Sequence, residues 1–550
     1  MNYSDNNILL YLGISLLLGL MADYFFHRVK LSATAGYLFI GILLGATGFG
    51  MIGEGLAVGL APFLTFALGI LAFMAGTTVQ YEALARHGRG FLTMGLGGGV
   101  ISFIITGGVM FWLFSRNGST NAEAAKSSLV LGALACSIGP WTIRHAIHEA
   151  KARGTVSAAL NSVTDLGFLP LIIMYVLAEA GVLFVEQGFS GGFAGQLALK
   201  LGGAGLLGIF FGIVSLPILK FTAGIHKTAA MILALVILCT GLTTLAGMDA
   251  VLAAFVLGMV MANCRPQIVK PEGMQLVKDL HLPVYIVFLI LEMGRIDLLT
   301  ISADEWGLVW IFITSGCAAR AVGSWGGGMF WERSKRIRKF LSIGMFGQSA
   351  FTIVLALSVI GGGDFDRRVI DITIISVLIL QIAGPLCTRL ALYLAGESGR
   401  NITDEDLMKE MVAGDVVNPN GEVIDENEPV NHILELFANG ERSVYPVVTR
   451  DRELIGVLSF ESLRGVLANH DSWQWLVAAD LMTTVKERVT ANEPLIRVYR
   501  KLETLKAAQI PVMDEDNNYK LLGMLDLNTI RMKVRSEILC RNHQHKGVNS

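Results

Sequence analysis

"NSVTDLGFLP", residues 161–170, sets one carboxylate, Asp165, among apolar neighbours: Val163, Leu166 and Phe168. The nearest charged residue before it is Arg153 and the nearest after it is Glu179. A charged side chain in hydrocarbon is expensive, and it usually faces a cavity, a partner or an ion path. The stretch therefore raises two questions: whether the surrounding sequence spans a membrane, and what the carboxylate holds there.

The composition answers the first. The chain has 550 residues, 53% hydrophobic and 16% charged, with a mean hydropathy of +0.57. From about residue 7 to 396 it is a succession of apolar runs of about 18 to 25 residues, the length that crosses a bilayer. From about 400 onward charged residues are interspersed as in soluble proteins. The expected organisation is a transmembrane domain over 1–398, a linker over 399–410, a soluble domain of two repeats at 411–470 and 480–537, and a tail at 538–550. The net charge of -2 points away from a nucleic-acid partner. The six cysteines show no CxxC pair or metal-ligand spacing and read as small core residues. The N-terminal "MNYSDNN" has no basic segment, so the first apolar run reads as a retained span.

The spans are expected at 7–26, 33–52, 57–79, 90–114, 127–148, 156–179, 196–220, 228–247, 249–264, 279–298, 305–330, 337–360 and 369–396, thirteen in all. Alternate loops carry 17 Lys and Arg residues, among them Arg28, Arg144, Lys151, Arg153 and Lys335; the other set carries Arg116, Lys126, Arg367 and Arg368. By the positive-inside rule the first set is cytoplasmic, the N-terminus is outside, and the soluble domain is in the cytosol beneath the cell (inner) membrane.

Asp165, Lys200, Glu292, Arg295 and Arg320 fall within these spans. At about 1.5 Å per residue, Asp165 lies near mid-membrane. The preceding span carries "CSIGPW", Cys136 to Trp141, at similar depth. Pro140 removes a backbone donor and collides with the preceding turn, so the motif marks either a bend or a broken helix whose free backbone groups contact an ion. "GMFGQSA", Gly344 to Ala350, interrupts a later span in the same way, and the span after it contains Gln381 and Pro385. Two such pairs running in opposite directions are the sequence trace of an inverted repeat. Lys200 is placed to snorkel to the interface, Arg320 to form a packing ion pair or a ligand, and Glu292 with Arg295 to form a structural pair or a gate. Asn161 and Gln348 lie beside the two central features.

Several stretches resemble the monovalent cation:proton antiporter superfamily, nearest its Kef-type and sodium/proton branch. They are "ATAGYLFIGILLGATGFG" (33–50), "LGILAFMAGTTVQYEALARHGRG" (68–90), "SVTDLGFLPLI" (162–172), "LAAFVLGMVMAN" (252–263) and "FLILEMGRIDL" (288–298). The resemblance implies a polytopic α-helical fold of about thirteen transmembrane helices, with inverted repeats and two broken crossing helices. It implies transport, not an enzyme activity. It carries the ion-binding aspartate to Asp165, its partner position to Thr164, and the unwound crossing to Ser137–Pro140 and Gly344–Gln348. Where electrogenic members have Asp-Asp this chain has Thr164-Asp165, and Gly139 stands where many sodium-selective relatives have an aspartate. A single central carboxylate holds either one proton or one monovalent cation, so the expectation is electroneutral exchange of Na+ or K+ for H+ by a homodimer. A gated potassium channel or uniporter of the same fold, and a non-transporting membrane sensor, are the alternatives.

The soluble part repeats itself. "EPVNHILELF" (428–437) recurs as "EPLIRVYRKL" (493–502), "YPVV" (445–448) as "IPVM" (510–513), and "LIGVLSFESL" (454–463) as "LLGMLDLNTI" (521–530). This α+β repeat resembles a tandem CBS pair, a module that commonly takes an adenine nucleotide or related ligand. The positions of the family's ribose-holding aspartate are Ser462 and Thr529, neither of them a carboxylate. A dimerising module without ligand is the alternative.

Overall fold

The computed structural model describes residues 8–28, 32–52, 59–166, 168–188, 192–221, 224–264, 271–331, 334–360, 366–401, 404–418, 421–439, 444–467, 475–485, 487–505, 507–514 and 520–547. Of the basic loop residues, Lys30, Arg265, Lys270 and Arg333 lie outside these ranges. The chain divides into two compact units, Met1–Gly399 and Arg400–Ser550.

The first unit is helical. Eight of its described helices are long and apolar enough to cross a membrane, and Ala33–Leu44, Ala61–Thr77 and Ala250–Ala262 are shorter apolar helices. Three expected spans are occupied by helix pairs. Asn121–Ala135 gives way to Pro140–Glu149, Lys335–Gly344 to Phe351–Ile360, and Thr155–Thr164 to Leu169–Gln187. The third interruption, at Asp165, adds to the two broken helices expected from the sequence. Proline explains two of the restarts, because it sits in the first turn of the following helix at Pro140 and at Pro170. Pro385, by contrast, sits inside a continuous helix, Arg368–Leu394.

Packing relies on small residues, as expected where lipid gives helices no hydrophobic reason to associate. A Cβ on Gly76 would lie 2.0 Å from the Phe255 carbonyl oxygen, and one on Gly258 would lie 2.1 Å from that of Phe73. The Ala61–Thr77 and Ala250–Ala262 helices therefore touch backbone to backbone. Gly97, Gly323 and Gly327 do the same for Tyr81–Arg116 and Ala303–Trp331.

Lys200 has a partner within the unit. The helix over Phe193–Phe221 contains a π-helical segment, Ala198–Gly203. Its Lys200 Nζ lies 2.6 Å from the buried carboxylate of Glu179. Asp249 caps the N-terminus of Ala250–Ala262 and accepts the hydroxyl of Tyr175.

In the second unit each repeat builds a three-stranded sheet. Ile424–Asp425 pairs parallel with Val444–Val448, which pairs antiparallel with Leu454–Ser459. Val489–Thr490, Gln509–Met513 and Leu521–Asp526 repeat that pattern. The segments leading into each repeat are exchanged. The Ala413 and Gly414 amides donate to Glu493 and Ala491, while the Ala478 and Ala479 amides donate to Glu428 and Glu426. The expected linker differs in the same way. Its residues 404–410 form the helix Asp404–Glu410, which buries Leu407 and Met408 in the core of the second repeat. The helix Leu527–Gly547 runs on through most of the expected tail.

Candidate ion site

The two broken helices meet through their backbones. The Gly139 amide donates to the Gly347 carbonyl at 2.9 Å. The Ser349 amide donates to Ser137 Oγ at 3.3 Å, and Gln348 Nε2 to the Leu134 carbonyl at 3.2 Å. Gln381 ties the crossing together. Its Nε2 donates to the Gln348 carbonyl at 2.9 Å, and its Oε1 accepts the hydroxyls of Thr142 and Ser32, each at 3.2 Å.

Arg320 is 2% exposed and reaches this crossing from the Ala303–Trp331 helix. Its Nη1 donates to the Ser137 carbonyl at 2.7 Å and to the Met345 carbonyl at 3.5 Å. Among the described residues, the bonding partners of this cation are carbonyls and a thiol, with no carboxylate. Ser137 follows the C-terminus of Asn121–Ala135, and Met345 follows that of Lys335–Gly344. Both ends carry partial negative charge from the aligned peptide dipoles, so the guanidinium is matched to two helix ends. In place of the packing ion pair or ligand role expected from the sequence, Arg320 is compensated by helix dipoles among the described residues, and the Ser137 carbonyl already accepts from it.

Asp165 is the C-cap of Thr155–Thr164. Its carboxylate is bonded by the guanidinium of Arg144, from the Pro140–Glu149 half-helix. Arg144 Nε also donates to Thr164 Oγ1 at 3.1 Å, and that hydroxyl donates to the Asn161 carbonyl at 2.7 Å. The aspartate side chain is 27% exposed and the arginine 45%, so neither end of the pair is fully enclosed by protein. Trp141 and Phe168, three residues from Arg144 and Asp165 in the chain, join an aromatic row: Trp141 on Phe168 with ring centroids 5.9 Å apart, Phe168 on Phe351 at 5.0 Å, and Trp141 on His281 at 6.2 Å.

The half-helix Pro140–Glu149 joins the two clusters. Its start belongs to the crossing of Ser137, Gln348 and Arg320, and its next turn holds Asp165 and Thr164 through Arg144. Glu292 and Arg295 pair with each other at 3.2 Å, and neither bonds a described residue of the crossing. Sequence reasoning missed Arg144 by counting it among loop cations. The signal was present, because residue 144 lies inside the expected 127–148 span.

In the second unit an open cleft of about 980 Å³ is lined by Gln509, Asp526, Asn528, Thr529, Arg531 and Lys533, among others. A carboxylate stands three residues before Thr529. Asp526 accepts the Thr529 amide at 2.7 Å and its hydroxyl at 3.0 Å. In the first repeat the hydroxyls of Ser459 and Ser462 bond each other at 2.9 Å.

Residues 13–392 match the family model described as the transmembrane sodium/hydrogen exchanger, and residues 412–469 match the CBS domain. No curated protein matches the sequence. Among solved structures, the chain is similar to the sodium proton antiporter MjNhaP1 from Methanocaldococcus jannaschii at pH 8. The TM-score is 0.53 at 15% identity, covering 71% of this chain and 96% of that one. At that identity the likeness is one of fold. The second unit aligns with CBSX2 in complex with AMP at 27% identity, covering 24% of this chain and 98% of that one with a TM-score of 0.21. It also aligns with the CBS domain of a bacterial CNNM/CorC family Mg2+ transporter in complex with ATP, at 17% identity, covering 23% and 89% with a TM-score of 0.21.

Proposed function

The chain belongs to the sodium/hydrogen exchanger family, and from that premise we propose that it exchanges Na+ or K+ for H+ at Asp165. The observation that carries this reading is the guanidinium of Arg144 lying on both Asp165 and Thr164 beside two crossed, broken helices. A cation that enters displaces Arg144 and gains two oxygens at once, the carboxylate and the Thr164 hydroxyl. Oxygen ligands of this kind suit hard monovalent ions. A proton that enters neutralises the carboxylate, and the guanidinium loses its partner. Cation and proton therefore compete for one acceptor. One acceptor couples one cation to one proton, which makes the exchange electroneutral.

Arg320 keeps the crossing intact while the site is empty or loaded, since its charge is matched by helix ends and not by the ion. Movement of one helix group against the other then exposes Asp165 alternately to the two sides. The proposed topology has thirteen crossings in a cell membrane, an outer N-terminus and a cytosolic second unit, in a homodimer. The cleft around Asp526 and Arg531 is proposed to take an adenine nucleotide or a related ligand. Its carboxylate would accept ribose hydroxyls, and its cations would face phosphate.

The test is proton flux in proteoliposomes carrying an internal pH dye. Na+, K+, Li+ and choline are added separately to wild type and to Asp165→Asn. A cation-driven pH change that vanishes in the variant supports exchange and identifies the ion. Full activity in the variant, or conduction of the cation without proton movement, overturns it.

A further inference from the structure

The last stretch of the first unit, residues 389–399, reaches three half-helices of the ion site. Arg389 pairs with Glu149, the final residue of Pro140–Glu149. The Ala395 carbonyl accepts from Arg336, in the first turn of Lys335–Gly344. Glu397, 2% exposed, sits at the start of Thr155–Thr164. Its carboxylate accepts the amides of Val156 at 2.8 Å and Ser157 at 2.7 Å and the hydroxyl of Thr155 at 3.3 Å. Backbone bonds flank it: the Arg153 amide to the Glu397 carbonyl at 3.1 Å, and the Gly399 amide to the Ala150 carbonyl at 2.9 Å.

The start of a helix leaves amide donors without partners, and the residue before it normally supplies a side-chain oxygen. Here that residue is Gly154, which has none. The cap arrives instead from a residue far along the chain, as a full carboxylate that also opposes the positive end of the helix dipole. The space for it depends on Gly154: a Cβ there would lie 2.2 Å from Glu397 Cδ. The capped helix spans about 15 Å and ends on Thr164 and Asp165 with no break between. Whatever moves its start moves the carboxylate. Two residues after Gly399's neighbour Ser398 comes Arg400, where the second unit begins.

We propose that Glu397 is a positioning residue for Asp165, and that residues 389–399 pass strain from the second unit to the ion site. This rests on the exchange reading given above. Residues 389–399 hold the helix that carries the carboxylate and both helices that cross beside it, and Arg400 follows them directly in the chain. A ligand that changes the second unit would then alter cation affinity without touching the site.

The full-length protein tests this in proteoliposomes, as wild type, Glu397→Gln, Glu397→Asp, Gly154→Ala, and wild type and Glu397→Gln each with a short Gly-Ser insertion after Gly399. Two quantities are read: the cation concentration giving half-maximal proton flux, and deuterium uptake over residues 153–160, which needs no transport. Glu397→Gln and Gly154→Ala are expected to raise the half-maximal concentration about fivefold, the size of losing one helix cap, while Glu397→Asp recovers part of it. The insertion is expected to raise both quantities in wild type and to add nothing to Glu397→Gln. Faster deuterium uptake with an unchanged half-maximal concentration would make Glu397 a structural cap only and overturn the positioning role. An insertion that has no effect in wild type, or the same effect in Glu397→Gln, would overturn the transmission. Should Glu397→Gln fail to fold, Gly154→Ala, made with and without the same insertion, carries the same comparisons. Absence of cation-driven flux in wild type would refute the exchange reading, and deuterium uptake would then decide the mechanical link by itself.

Discussion

Arg144 covers Asp165 and Thr164 with a single guanidinium, bonding the carboxylate and, through Nε at 3.1 Å, the hydroxyl. In the exchange proposed above the arginine takes the place of the cation, and it comes from the half-helix that also forms the crossing. Arg144→Gln removes the competing charge and leaves a neutral donor. The half-maximal cation concentration is expected to fall about two- to fivefold, in line with a partly exposed ion pair. A cation titration of proton flux checks it, and a rise in that concentration would contradict the competition.

Arg320 answers to the crossing, not to the ion. Arg320→Met leaves the Ser137 and Met345 carbonyls without their donor in a buried setting. A loss of about 1–3 kcal/mol is expected for such orphaned groups. It is read as a lower unfolding midpoint in detergent, whether or not the transported cation is present.

Glu179 and Lys200 make a different forecast. Replacing either alone strands the other, because the carboxylate is buried and the ammonium lies 2.6 Å away. Removing one partner of such a pair costs more than removing both. Glu179→Leu and Lys200→Met should each lower the unfolding midpoint more than the double variant does. A double variant worse than both singles would show that the pair is not a unit.

Close helix contact can be tested by adding one methyl group. Gly76→Ala and Gly258→Ala each drive a Cβ into a facing carbonyl oxygen. Both are expected to reduce the yield of monodisperse protein. Gly241→Ala is the control, since no atom lies within 4 Å of its Cβ. In a helix interior alanine is favoured over glycine by about 1 kcal/mol, so the control should hold or gain stability.

Asp526→Ala addresses the cleft of the second unit. In the proposed reading Asp526 accepts ribose hydroxyls, so its loss is expected to weaken AMP binding to the full-length protein about tenfold, measured by calorimetry. Ser462→Ala, in the other repeat, should leave that affinity unchanged.

The features legible in the sequence were those that break a local rule. Gly139-Pro140 interrupts an apolar run, "GMFGQSA" does the same, and Asp165 stands without a charged neighbour. Each violates the pattern of its own span and so is visible without tertiary information. Arg144 was misread because a basic residue near a span end fits the positive-inside pattern equally well in a loop or on a half-helix. For Arg320 the sequence leaves open a packing ion pair or a ligand, since a helix end that carries partial charge leaves no letter in the sequence. Glu397 looked like an ordinary residue past the last span, and only folding brings it to Val156 and Ser157. The exchanged leading segments of the soluble repeats were equally hidden. Their spacing along the chain is the same whether each packs on its own repeat or on the other.

The amide of Gly139 and the carbonyl of Gly347 have a consequence for how the protein is made. The first group enters the membrane long before the second has been synthesised. Until then the Gly139 amide lacks its partner, and so does the Ser137 carbonyl that Arg320 later meets, while the amides of Cys136 and Ser137 are already answered within the preceding turn. A ribosome stalled before Gly347 would leave an intermediate whose hydrophobic spans are inserted but whose centre is open. Membrane quality control could recognise this intermediate by that one unsealed gap.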